Sequence, residues 1–120
     1  MTTSPLWEIL VPHRMGDHDG TDPDIPKRRR NIPVPYHQQW DAYVRSITGG
    51  LTIYRAAKGQ WVDENNDLHK EFMIPVRIAC TYEQIQDIAK FTMHHYRQKA
   101  VLVTLVSTQT IIFHREDIQQ

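Results

Sequence analysis

The chain has a single cysteine, no net charge and no long apolar run, and each shortage closes off a class of function. Cys80 alone cannot form an internal disulfide, so a packed core must hold the fold, and the thiol fits a reducing compartment. Its expected role is a small buried apolar group at the end of a strand. Fourteen basic side chains balance fourteen acidic ones, so no global field draws the protein toward nucleic acid or an anionic membrane. No apolar stretch approaches the roughly 20 residues that span a bilayer. The opening MTTSPLWEILVPHR has neither a basic leader region nor a long enough apolar segment for a secretory signal, which makes the cytoplasm the expected location.

What is present suits one small domain over residues 1–120: 14.1 kDa, with 40% hydrophobic and 23% charged residues. Leu6–Val11 (LWEILV) reads as a buried strand stopped by Pro12. Residues 12–35 carry Pro12, Pro23, Pro26, Pro33 and Pro35 and show no helical or strand period, so a long irregular insertion is expected there. A helix should begin near Tyr36 or His37. Trp40, Tyr43, Val44 and Ile47 then form one apolar stripe, and Gly49-Gly50 supply the stop.

Two extended runs, Leu51–Ala57 and His69–Ala79, flank a polar segment holding Gly59, Asp63, Asn65, Asn66 and Asp67, the pattern of a hairpin. In the second arm Phe72, Ile74, Val76 and Ile78 alternate with Glu71, Met73, Pro75 and Arg77. Pro75 lacks a ladder donor and marks an edge, a bulge or a kink. Thr81 and Gln84 have capping-box spacing for a second helix, with Ile85, Ile88, Ala89, Thr92 and Tyr96 on one face. Ala100–Val106 reads as a buried strand that Thr110–Phe113 continues or folds back upon, and Glu116–Gln120 as a frayed end.

That order predicts an α+β domain, a split β-α-β-β-α-β arrangement of ferredoxin-like type. Right-handed crossovers would put both helices on one face of an antiparallel sheet and leave the other face to water, a ligand or a second subunit.

Trp40 in a helix, the run Gly50-Leu51-Thr52-Ile53, then Gly59-Gln60-Trp61, and Glu71 ahead of an apolar strand together resemble a group of uncharacterised bacterial proteins. The resemblance extends from Trp40 to Phe113, with Trp7–Val11 as first strand. It implies a small ferredoxin-like domain with a tryptophan-bearing helix, a GLT strand, a G-x-W turn and a glutamate-bearing strand. It carries no established activity, and the acidic-then-basic insertion departs from it.

Recognisable chemistry is sparse. Asp17, Asp19, Asp22 and Asp24 crowd four carboxylates into one loop, with the His18 imidazole among them. An EF-hand would need glycine at its sixth position and glutamate at its twelfth, where this chain has Asp22 and Arg28. A solvated, turn-rich loop is therefore the favoured reading. Lys27-Arg28-Arg29-Arg30 could neutralise phosphates, but an acidic segment precedes it and no RNP1 pattern occurs, so nucleic acid is a disfavoured partner. His94 and His95 are adjacent on a helix and diverge by about 100°. Neither H-x-x-x-H nor H-E-x-x-H is present, and no metal or cofactor is expected.

Large aromatics such as Trp7, Trp40 and Trp61 are expected in the core. Two functions follow. The favoured one is a homo-oligomeric binding or interaction module, a dimer through sheet faces or edges, with Glu8, Trp61 and Arg77 as binding residues. The alternative is a small cofactor-independent enzyme like dimeric ferredoxin-like monooxygenases or isomerases, with Glu71 as general base and Tyr54, His94 and His95 beside it. A Glu71–Arg77 pair would instead make Glu71 structural.

Overall fold

The computed structural model describes residues 1–15 and 30–118. It is an α+β arrangement: an open, five-stranded antiparallel sheet and two helices, with the elements β1 (Thr2–Pro12), β2 (Arg14–Met15), β3 (Arg30–Asn31), α1 (Val34–Thr48), β4 (Thr52–Ile53), β5 (Ala57–Val62), β6 (Leu68–Ala79), α2 (Tyr82–His95) and β7 (Val103–Ile112). Along the main sheet the order is β4-β6-β1-β7, and β5 also pairs with β6. β2 and β3 form a separate two-stranded ladder.

Side-chain alternation sets the two faces of the sheet. The register pairs Trp7 with Ile78, Ile9 with Val76 and Val11 with Ile74, so these six share one face. The helices pack there: Trp40 and Val44 of α1 and Ile85 and Ile88 of α2 join Ile9, Val11, Val76 and Ile78 in one buried cluster. Glu8–Arg77, Leu10–Pro75 and Pro12–Met73 pair on the opposite, open face.

α1 starts two residues before the expected Tyr36, with a proline in its first turn. A proline there loses no intrahelical bond, because the first N–H groups of a helix have no partner within it. Gly49 ends the helix at φ 85°, its N–H bonded to the Arg45 carbonyl at 2.9 Å. α2 carries the expected capping box at Thr81 and Gln84.

Several expectations are corrected. The ends of the 12–35 segment are ordered: Arg14 pairs with Asn31, Met15 with Arg30, and Ile32 is buried in the core. The acidic run 17–24 and residues 27–29 of the basic run lie outside the described residues. The first hairpin arm is broken, and the turn is confined to Asp63–Asp67, so Gly59 and Trp61 are strand residues and not a turn. β6 is an interior strand despite Pro75. The Pro75 carbonyl accepts from the Tyr54 N–H at 2.9 Å, so its missing donor also faces β4. The neighbouring strand gives way there, and register slips by one residue between Ile53–Val76 and Ala57–Met73.

β7 is an edge strand with Leu105 and Val106 exposed, not a buried one, and residues 110–112 extend it. Within the expected frayed end, residues 115–117 are tied down. Arg115–Asp117 forms a 3-10 turn, the Asp117 carboxylate accepts the His114 N–H and forms an ion pair with the Met1 amino group. The molecule measures 60 × 30 × 25 Å. Its length comes from two-stranded arms at opposite ends of the sheet: β5–β6 beyond Pro12, and Thr2–Ser4 with Thr110–Ile112 beyond Ala79.

Candidate functional site

On the open face, the cross-strand pair Glu8–Arg77 is an ion pair, Arg77 Nε to Glu8 Oε1 at 3.3 Å. The guanidinium also lies 5.2 Å from the centre of the Tyr54 ring. Glu71 is not Arg77's partner: it sits six residues up β6, about 20 Å away at strand rise, opposite Gly59.

The outer arm carries a second arrangement. The Asp63 carboxylate accepts the backbone N–H groups of Asn65 and Asp67, each at 2.9 Å, and fixes a turn in which Asn66 takes φ 65°. Its other oxygen is 2.8 Å from His69 Nε2. The His69 hydrogen bond, followed by that of Asp67, lowers the Asp63 pKa below the usual carboxylate value. His69 in turn stacks on Trp61, centroids 4.2 Å apart. Trp61 is 46% exposed, which corrects its assignment to the core. Trp40 is buried as expected, and Trp7 is partly buried with its Nε1–H on the Cys80 carbonyl at 2.9 Å. Cys80 itself is buried directly after β6, and burial pushes its thiol up to about 11.

The helix side holds a polar cluster between α1 and the end of α2. His37 Nδ1 lies 2.8 Å from the Tyr96 hydroxyl, and Trp40 Nε1–H donates to Thr92 Oγ1 at 2.8 Å. Burial first, then repulsion from His13 and His95, lowers the His37 pKa against the opposing pull of Asp41. Burial also raises the Tyr96 phenol. Nearby, His13 Nδ1 is buried with no hydrogen-bond partner among the described residues. His95 stacks on Phe91 and places Nε2 2.8 Å from the Tyr36 carbonyl, while His94 is exposed.

The expected group of Glu71, Tyr54, His94 and His95 is therefore dispersed. Tyr54 and Glu71 share the open face but lie opposite Pro75 and Gly59, and the two histidines belong to α2 on the other side of the sheet. Glu8 and Arg77 are brought together; Trp61 stands apart on the arm. Among the described residues no cluster of three or more histidine, cysteine, aspartate or glutamate side chains has metal-binding proximity.

A concavity of about 280 Å³ lies at the base of the β5–β6 arm, where Arg14, Lys58, Lys70, Phe72, Met73 and Gln98 meet. Pro12 and Glu71 complete its wall. Lys58 is paired with Phe72, and Lys70 is its diagonal neighbour on the same face. The sequence reading missed this concavity because it spread the turn over Gly59–Asp67. With the turn at Asp63–Asp67, the two lysines fall together.

Fold and surface thus define a ferredoxin-like α+β domain with an open sheet. Among solved structures it is similar to CutA from Synechococcus elongatus, with a TM-score of 0.50 and 11% identity over 91% of this chain and 85% of that one. At that identity the likeness shows the fold alone and does not extend to the Trp-helix, GLT or G-x-W motifs. No family model matches the chain, and no curated protein matches it in sequence. No helix among the described residues is long and apolar enough to cross a membrane.

Proposed function

We propose that the protein is a homo-oligomeric interaction module that associates through its sheet. One observation carries this reading: apolar side chains lie exposed on the edge strand and on both arms. Leu105 (46%), Ile112 (51%) and Phe113 (58%) line the edge and one arm, and Trp61 and Phe72 the other. A ten-residue open edge with such side chains invites pairing with another chain unless it is covered. The split β-α-β-β-α-β arrangement belongs to this proposal, with β4 and β5 as one strand interrupted opposite Pro75; pairing of both with β6 supports it.

Sedimentation of the full chain should give a species heavier than 14.1 kDa at micromolar concentration. Leu105→Lys with Phe113→Lys should shift it toward the monomer with the helical circular dichroism kept. A wild-type monomer at hundreds of micromolar would refute the reading.

A second reading is a small cofactor-independent enzyme with Glu71 as general base. It is favoured by the place of Glu71 in the wall of the basic concavity. Once a reaction is found, Glu71→Gln should lower kcat by about 100-fold or more; an unchanged kcat would remove the role.

A further inference from the structure

We infer that the concavity at the base of the β5–β6 arm binds a small organic phosphate, a phosphomonoester whose ester group is apolar. Among the described residues Arg14, Lys58 and Lys70 bring three positive charges to the concavity, while Glu71, paired with Gly59, stands on the strand face opposite to that of Lys58 and Lys70, so the concavity holds an excess of positive charge. A phosphomonoester carries about −1.5 to −2 at neutral pH, which matches that excess better than a single carboxylate would. The hairpin itself sets the geometry. Lys58 and Lys70 are diagonal neighbours on adjacent strands, about 7–8 Å apart, so their flexible stems can close on one oxyanion. Arg14 enters from β2, on a separate chain segment, and its planar fork can hold two phosphate oxygens.

Beside these charges and the Gln98 amide, the rest of the wall is apolar. Phe72, on the same face as Lys58 and Lys70, supplies a flat aromatic beside the cations, and Met73 and Pro12, paired on the other face, add an apolar rim. Phe72 is 45% exposed, although it continues the apolar alternation of β6, and a ligand's apolar portion would cover it. A bare inorganic anion would use the charges and leave this surface wet. Concave sites that combine an apolar lining with a few convergent polar groups are where small molecules bind. The site requires neither self-association nor chemistry at Glu71, because binding is read per chain.

The test is calorimetric titration of the full-length protein with phenyl phosphate, with inorganic phosphate and phenol as comparison probes. Phenyl phosphate should bind at micromolar to millimolar affinity, more tightly than either fragment, and more weakly as salt is raised. Lys58→Gln with Lys70→Gln should weaken it by about tenfold or more, and Arg14→Gln alone by a similar factor. The single Arg14→Gln exchange, at an exposed position, guards against a double variant that fails to fold. No binding at millimolar phenyl phosphate, equal binding of inorganic phosphate, or affinity indifferent to these substitutions would each overturn the inference.

Discussion

The His37 imidazole is held by the Tyr96 hydroxyl at 2.8 Å in a half-buried site. Burial keeps the Tyr96 phenol protonated, and its hydroxyl can donate to or accept from Nδ1 according to the imidazole tautomer. A proton on His37 would place a cation in this half-buried site near His13 and His95, against the opposing pull of Asp41. The pH dependence follows from the lowered pKa. The unfolded chain takes up the proton first, so this contribution to stability is complete above the ordinary value of 6.5 and is lost as pH falls through the lower folded value. The melting temperature should drop between about pH 7 and about pH 5, and His37→Gln should flatten that slope; an unchanged slope would locate the proton elsewhere. Trp40 shows what a stripe can and cannot reveal. Its burial was readable from the 3.6-residue period, but its indole N–H needs Thr92, on the other helix, as acceptor.

At the scale of elements, the strongest local signal belongs to α2. Thr81 Oγ1 accepts the Gln84 N–H at 3.1 Å, and Gln84 Oε1 accepts the Thr81 N–H at 2.9 Å. The Gln84 amide nitrogen then donates to the Ile47 carbonyl at 3.2 Å, joining the start of α2 to the end of α1. Thr81→Ala should cost about 1 kcal/mol, within the roughly 0.5–2 kcal/mol range of N-cap losses, read as a lower denaturation midpoint at unchanged slope. A loss near zero would mean that water replaces the cap. The hairpin was legible as a hairpin because its alternation is strong, but its turn was not. Gly59 reads as a turn former, yet it is a strand residue opposite Glu71, and the Asp63 carboxylate sets the turn four residues later. Pro75 was legible as a disturbance, and its expression as a break in the neighbouring strand depended on which side its nitrogen faces.

At the scale of the molecule, the arms decide the surface. Phe72 follows the same alternation as Val76 and Ile78, yet it is exposed because β6 runs past the end of β1 and away from the helices. Ala100–Val106 has the apolar content of a central strand, and its position at the sheet edge leaves Leu105 and Val106 uncovered. The monomer shift expected for Leu105→Lys with Phe113→Lys is thus a statement about assembly, since neither side chain belongs to the buried cluster. Periodicity and capping chemistry act over a few residues, so the helices, the alternating strands, the core stripe and the α+β class were already determined by the sequence. Strand order, the broken first arm, the Glu8–Arg77 pair and the convergence of Arg14, Lys58 and Lys70 were decided only by the tertiary structure. They depend on register between segments far apart in the chain, and a slip of one residue in that register turns every side chain to the other face.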